Sequence, residues 1–187
     1  MSRGLGDVYK RQYENGTSLR NYDNNYRGFT TLREAITNSI NVVTVKTLTE
    51  IGTQVGFDYL DDFGFTTIVP EDNTQSLCLG GLTKGVYNLE LTAAYATIAN
   101  GGTYTKPRFF TKILDHDGNV LIDNTPQTHT VLKDTTAWLI TSAMKDVMTQ
   151  GTGVAANISN MPVAGKSGTT TKNRDSLFAG FSPYYTC

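Results

Sequence analysis

The sequence predicts an α+β fold in which helices pack on an antiparallel sheet. Apolar residues recur at helical spacing through much of the N-terminal part of the chain, and a further helical period covers residues 133–148. Strand-like stretches bounded by turn residues dominate the C-terminal part. A helical part followed by a strand-rich part is typical of the α+β class.

The first long helical pattern runs from Thr31 to Ile51 and contains an internal break. Thr30 or Thr31 can cap its start, and Gly52 can end it. Ser39-Ile40-Asn41 falls in its middle, and Ser and Asn prefer helix ends and turns. We therefore expect the helix to be interrupted here, with two polar side chains exposed at the interruption.

The remaining elements follow from periodicity, caps and turn residues. Further helices are expected at 54–63, 88–99 and 133–148. Asn88 is expected to cap the helix 88–99, and Trp138 of the helix 133–148 is expected to pack in the core. Strands are expected at 104–114, 119–122, 163–170 and 176–184. The turn Asp115-His116-Asp117-Gly118 joins the first two strands, and the longer ligand series of a calcium loop does not follow it.

Composition limits the classes of function. The chain has 187 residues, 39% hydrophobic and 18% charged, with a net charge of -1, as in a single globular domain or a large part of one. Lys and Arg are scattered, so no nucleic-acid partner is expected. No run approaches the roughly 18 apolar residues of a membrane helix. Two cysteines make no disulfide framework, and we expect neither a metal nor a cofactor.

The most specific local pattern is Gly165-Lys166-Ser167-Gly168-Thr169-Thr170, which falls on a predicted strand. A lysine with neighbouring hydroxyls suits a carboxylate, and a glycine in a strand lets a ligand backbone approach closely. Gly-Lys-Ser also occurs in phosphate-binding loops, which require a glycine where this chain has Asn160. That second interpretation also requires a helix after the motif, whereas strands are predicted.

A second motif pairs with the first. Ser39-Ile40-Asn41 alone has little value, because Ser-x-Asn occurs often by chance. Ser39 and Lys166 are 127 positions apart, in the order in which penicillin-binding proteins and class A β-lactamases carry Ser-x-Asn and Lys-[Ser/Thr]-Gly.

Beyond these motifs, the sequence resembles the transpeptidase domain of class A, bifunctional penicillin-binding proteins. The resemblance covers essentially 13–186. Its most characteristic segments are Asn21-Tyr22-Asp23, Tyr26-Arg27-Gly28, Thr31-Leu32-Arg33-Glu34-Ala35, Leu79-Gly80-Gly81, Leu89-Glu90-Leu91-Thr92-Ala93-Ala94-Tyr95, Ala99-Asn100-Gly101-Gly102, Gly151-Thr152-Gly153 and Asn173-Arg174-Asp175.

The resemblance implies a peptidoglycan D,D-transpeptidase that crosslinks stem peptides through a serine acyl-enzyme and binds β-lactam antibiotics. It implies that Ser39, Asn41 and Lys166 are catalytic. It also implies that the substrate-binding residues are Ser167, Gly168, Thr169 and Thr170, and that the backbone N–H of Thr169 is one oxyanion donor. The parent protein is then expected at the extracytoplasmic face of the bacterial membrane, anchored there and carrying a glycosyltransferase domain.

One element of the family pattern is expected to be missing. The nucleophile's Ser-x-x-Lys lies upstream of Ser-x-Asn in the family, so we expect it to be absent from this chain and the chain alone to be inactive. Residues 1–12 resemble translated sequencing adapter, which leaves 13–187 as a partial domain, incomplete at both ends. Two alternatives stay open, a non-catalytic β-lactam-sensing or wall-binding module and a D,D-carboxypeptidase or β-lactamase relative.

Overall fold

A computed structural model of the chain describes residues 5–6, 12–170 and 175–187. Five α-helices lie within these ranges: α1 (Leu32–Thr37), α2 (Asn41–Ile51), α3 (Thr53–Asp62), α4 (Asn88–Ala99) and α5 (Asp134–Gln150). Short 3-10 turns occupy Pro70–Asp72, Gln75–Leu79 and Val154–Ala156. Most of the segment expected to be adapter-derived, 1–4 and 7–11, lies outside the described residues, as do Asn173 and Arg174 of the last family segment.

The strands pair two by two, and every pair is antiparallel. They are β1 (Leu5–Gly6), β2 (Phe29–Thr30), β3 (Thr103–Thr105), β4 (Lys112–Leu114), β5 (Val120–Asp123), β6 (Thr128–Thr130), β7 (Ala164–Thr169) and β8 (Ser176–Phe181). Within the described ranges the pairs are β1 with β2, β3 with β6, β4 with β5, and β7 with β8. Helices and antiparallel strands together confirm the predicted α+β class.

The break in the first helical pattern is confirmed, but the side chains of Ser39 and Asn41 are half-buried and not exposed as expected. Thr31 begins α1 through a capping box, in which its hydroxyl accepts from the Glu34 N–H while the Glu34 carboxylate accepts from the Thr31 N–H. The helix ends at Thr37, and a new helix begins at Asn41. Ser39 therefore lies in the connection between two helices.

Three sequence predictions are wrong in detail. The expected strand 104–114 is two strands, β3 and β4, because Pro107 lies between them and supplies no N–H to a ladder. Asn88 is the first residue of α4, and its cap position is held by Tyr87 without a side-chain hydrogen bond. Trp138 is 67% exposed, since α5 turns a different face to the core.

The core of the molecule holds β7 against the helices. A buried cluster of Met144, Ala164 and Phe181 joins α5 to β7 and β8. Ile36 of α1 packs against the same cluster, as do Tyr95 and Ile98 of α4 and Ile140 of α5. Because Ile36 and Ala164 share one core, the end of α1 and the strand that carries Lys166 are held at a fixed separation.

Candidate functional site

Ser39 occupies a backbone conformation that favours glycine. It follows the C-cap of α1 with φ of 54°, in the left-handed region. The Ile40 N–H donates to the Ala35 carbonyl at 2.9 Å and the Ser39 N–H to the Ile36 carbonyl at 3.4 Å, which is the pattern of a Schellman motif. Ile40 and Ala35 are both buried and belong to one apolar cluster. Burial of Ile40 thus holds Ser39 in place against the cost of its conformation.

The two motifs meet at one hydrogen bond. Lys166 Nζ donates to Ser39 Oγ at 2.9 Å, across 127 positions of the sequence. The same ammonium donates to the Ser167 carbonyl at 2.8 Å. Lys166 is therefore held at two points, and its charge lies at the junction of β7 and the α1–α2 connection.

Burial changes the acidity of this lysine. Removing the ammonium from water disfavours its charged form, so burial lowers the pKa of Lys166 from its ordinary value of 10.5. Its two hydrogen-bond partners are a neutral hydroxyl and a carbonyl. A lysine in this setting gives up a proton more readily than one in solvent.

Asn41 is the first residue of α2 and is tied to a distant segment. Its amide Nδ2 donates to the Arg20 carbonyl at 3.1 Å. The neighbouring Asn21, 2% exposed, accepts from the Val42 N–H through Oδ1 at 3.1 Å and donates to the Asn25 carbonyl at 2.7 Å. Asn21 thus serves as a cap from outside the helix, since Ile40 at the N-cap has no capping side chain.

One edge of β7 pairs with no other strand within the described residues. In an antiparallel ladder, residues alternate between exchanging hydrogen bonds with the partner strand and pointing away from it. The Thr170 N–H donates to the Asp175 carbonyl, so the backbone groups of Thr170 point to the β8 side. By alternation along the strand, the backbone groups of Ser167 and Thr169 point to the opposite edge. Lys166 Nζ reaches the Ser167 carbonyl at that edge. Within the described residues β8 is the only strand paired with β7.

The predicted substrate residues are only partly brought together. Ser167 is half-buried and its hydroxyl lies 3.3 Å from that of Thr152. Gly168 and Thr169 are exposed at the end of β7, and a side chain at Gly168 would meet open space. Thr170 lies beyond the strand, where its hydroxyl contacts the Asp175 carboxylate at 3.2 Å. Its side chain is therefore engaged at the β7–β8 connection.

The sequence does contain a Ser-x-x-Lys string, at Ser142 to Lys145, so the expectation that none occurs is wrong. It lies within α5 and follows Ser39, whereas the family element precedes it. Ser142 Oγ accepts from the Arg33 guanidinium at 2.7 Å, while Lys145 lines a separate cavity of about 420 Å³ beside Ala164. A hydroxyl held by a guanidinium is poorly suited to act as a nucleophile, and the string is structural.

The alternative interpretation as a phosphate loop is also wrong. Gly165, Lys166 and Ser167 lie inside β7 and pair with Gly180, Ala179 and Phe178 of β8. A phosphate loop wraps around its ligand and leads into a helix, whereas here the strand continues to Thr169.

Sequence reasoning missed the contacts that hold the site together. Asn21 and Thr152 stood only as characteristic family segments without a structural role, and Arg20 was not singled out. The missing signal is tertiary: each of these residues acts on an element far from it in the sequence.

Comparison with known proteins gives one consistent result. The family model described as the penicillin binding protein transpeptidase domain matches residues 7–186. Penicillin-binding protein 1A of Clostridium novyi is 34% identical over 170 residues, which is 89% of this chain and 20% of that protein. Penicillin-binding protein 1F of Bacillus subtilis is 37% identical over 173 residues, 89% of this chain and 24% of that protein. The chain thus spans about a quarter or less of these relatives.

Solved structures show the same fold. Penicillin-binding protein 1A from Haemophilus influenzae superposes with a TM-score of 0.80 at 22% identity, over 96% of this chain and 33% of that one. PonA1 from Mycobacterium tuberculosis gives a TM-score of 0.80 at 21% identity, over 98% of this chain and 53% of that one. In the part of the chain that the structure describes, no helix has the length and apolar character needed to cross a membrane.

Proposed function

The chain belongs to the penicillin-binding protein transpeptidase domain family, and from that premise we propose that its parent protein is a peptidoglycan D,D-transpeptidase. The observation that carries the proposal is the 2.9 Å hydrogen bond from Lys166 to Ser39, which joins the two family motifs in one site. Relatives named penicillin-binding protein 1A and 1F support it.

The proposed reaction is acyl transfer through a serine ester. A serine hydroxyl attacks the carbonyl between two D-alanines of a stem peptide, D-alanine leaves with a proton on its nitrogen, and an amine of a neighbouring stem peptide then takes the acyl group. A hydroxyl nucleophile requires a nearby base and stabilisation of the oxyanion. We place this nucleophile, with its own lysine, on a segment upstream of the present chain.

Ser39 is suited to relay a proton. Its oxygen accepts from Lys166, which leaves the hydroxyl proton of Ser39 free for donation to a leaving nitrogen. The nucleophile's own lysine, placed upstream of this chain in the proposal, replaces that proton, and Lys166 keeps its charge. Asn41, held by the Arg20 carbonyl, offers its amide oxygen and a remaining N–H to the substrate.

The open edge of β7 is suited to an extended peptide. The N–H of Thr169 points away from β8 and serves in the proposal as one oxyanion donor. Lys166 supplies positive potential for the terminal carboxylate, and the hydroxyls of Ser167 and Thr169 bind it. Gly168, with open space where a side chain would stand, lets the ligand approach. Thr170 contributes by ordering the end of the strand.

Class A relatives extend the proposal to the whole protein. Its partners are peptidoglycan stem peptides and β-lactam antibiotics, and it carries a glycosyltransferase domain and a membrane anchor outside this chain. It acts at the extracytoplasmic face of the bacterial cytoplasmic membrane, where its substrate lies. Neither a cofactor nor a metal takes part in the proposed reaction.

The test is covalent labelling by a fluorescent penicillin, with the labelled residue located by mass spectrometry. Both this chain and one extended upstream by about 100 residues, roughly another domain's worth, are compared. The extended chain is expected to label at an upstream serine, and this chain is not. Lys166→Ala should slow labelling of the extended chain at least tenfold, because an ion-assisted hydrogen bond is lost. Lys106→Ala, at an exposed lysine outside the site, is the matched control.

Either of two results would contradict the proposal. Penicillin label on Ser142 would show that the nucleophile lies on α5, within this chain. Absence of label from both chains, with both folded, would make a binding module the better account.

A further inference from the structure

The turn after α5 carries a hydroxyl whose position is unusually constrained. Gly151, Thr152 and Gly153 follow the last turn of that helix. A side chain at Gly151 would collide with the Thr37 carbonyl oxygen, and one at Gly153 would lie 2.8 Å from Met148 Sδ. The Thr152 N–H donates to the Thr37 carbonyl at 3.3 Å, and the Gly153 N–H to the Val147 carbonyl at 3.0 Å. Close packing on both sides therefore fixes Thr152.

This turn touches both halves of the site. Thr37, which receives its backbone hydrogen bond, lies two residues before Ser39. The Thr152 hydroxyl lies 3.3 Å from Ser167 Oγ on β7. Thr152 is exposed, so this pair of hydroxyls lies at the surface where a ligand can reach it.

We propose that Thr152 is a positioning residue that directs the Ser167 hydroxyl proton towards the carboxylate of the substrate. Ser167 has one proton and two lone pairs, and a carboxylate only accepts, so Ser167 must donate to it. When Thr152 donates to Ser167 Oγ, the Ser167 proton is left for the ligand, and each hydrogen bond polarises the next. The proposal rests on the proposed function, because it assigns the terminal carboxylate to Ser167.

The test uses the parent protein with its nucleophile and two peptide substrates, one ending in D-alanyl-D-alanine and one ending in the corresponding carboxamide. Thr152→Val removes the hydroxyl at nearly constant volume and should raise KM for the carboxylate substrate about tenfold with little change in kcat. KM for the carboxamide should stay within about twofold, because that ligand can also donate. Thr152→Ser should restore wild-type values.

Thr149→Val is the matched control, since Thr149 is exposed and its hydroxyl donates to the Lys145 carbonyl within α5. A double-mutant cycle that combines Thr152→Val with Ser167→Ala distinguishes an effect of Thr152 through Ser167 from direct binding of the substrate by Thr152. If Thr152 acts through Ser167, Thr152→Val has no further effect on KM in the Ser167→Ala background.

Equal losses on both substrates would show a merely structural role and overturn the inference, as would unchanged KM values in Thr152→Val. If Thr152→Val does not fold, Thr152→Ala is measured in its place against the same criteria. Failure of the proposed function itself is recognised separately, because the wild-type parent would then take up no penicillin label.

Discussion

The side-chain oxygen of Asn21 accepts a hydrogen bond from the backbone N–H of Val42 at 3.1 Å, and so caps α2 from a segment 21 positions earlier. The N–H groups in the first turn of a helix have no partner within the helix, and Ile40 at the N-cap has no side-chain acceptor for them. The Arg20 carbonyl in the same segment accepts from Asn41 Nδ2, so this segment also holds the side-chain amide of Asn41.

Asn21→Ala should destabilise the chain by about 2 kcal/mol, because it leaves the buried Val42 N–H without its partner and also removes the hydrogen bond to the Asn25 carbonyl. Urea denaturation followed by circular dichroism measures the change. Asn157→Ala, at an exposed asparagine, should change stability by less than about 0.5 kcal/mol. Equal losses of unfolding free energy in Asn21→Ala and Asn157→Ala would contradict the assignment of Asn21 as the cap of α2.

The conformation of Ser39 predicts an inversion of the usual order of alanine and glycine. Ser39→Ala and Ser39→Gly both lose the hydrogen bond from Lys166, but only glycine adopts a φ of 54° without steric cost. Ser39→Gly should therefore be more stable than Ser39→Ala by about 1 kcal/mol. Comparison of the two urea midpoints at equal slope is the measurement. A more stable alanine variant would mean that Ser39 leaves the left-handed region in solution.

Gly151→Ala should destabilise the chain by at least about 2 kcal/mol, because the new methyl group meets the Thr37 carbonyl and the helix end must move. Gly168→Ala is the matched control for stability, since its added carbon meets open space. Thermal unfolding of both variants is compared with that of the original chain. Similar melting temperatures for Gly151→Ala and Gly168→Ala would show that the turn after α5 rearranges at little cost in stability.

The burial of Lys166 predicts that the stability of the chain depends on pH. Burial lowers its pKa in the folded chain, so between that value and 10.5 the unfolded chain binds more protons. The folded state pays the cost of a buried charge below this window, and its free energy of unfolding rises with pH through the window. Lys166→Met removes the contribution. The difference in stability, original chain minus variant, should increase from pH 8 to pH 10.5 in denaturant titrations; a flat or falling difference contradicts the assignment.

Cys78 should react slowly with alkylating reagents. It packs against the cluster of Leu19, Val42 and Val45, and burial raises the pKa of its thiol from 9.0 to about 11. A shift of two units leaves about 100-fold less thiolate at pH 8. Mass spectrometry after iodoacetamide treatment should find Cys78 protected in the folded chain and modified in denaturant. Cys187, which is exposed, serves as the internal reference for reagent activity.

The parts of the fold that sequence predicted are those decided locally. Thr31 with Glu34 marks a helix start in four residues, and Ser39 with Asn41 marks a break by composition alone. The single strand expected over 104–114 is wrong because Pro107 has no N–H to give to a ladder and divides the segment into β3 and β4. The expected burial of Trp138 is wrong because α5 places Ala137 and Met148, and not Trp138, against the core.

The sequence paired two residues of the candidate site, but it did not predict the contacts that support them. Ser39 and Lys166 were paired through the family motifs, and the structure places them 2.9 Å apart. The left-handed turn at Ser39 depends on the burial of Ile40 between helices, which no local pattern encodes. Thr152 reaches Ser167 only because Gly151 admits the Thr37 carbonyl, a contact across more than 100 positions.

The edge of β7 opposite β8, which pairs with no other strand in the described part of the chain, bears on selectivity. Hydrogen bonds from a strand edge recognise the main chain, which is alike in every extended peptide, so the edge by itself distinguishes few sequences. In the proposed function, discrimination therefore depends on the side chains beside that edge, the cation of Lys166 and the hydroxyls of Ser167 and Thr152. A surface of this kind recognises where a chain stops rather than which residues it contains.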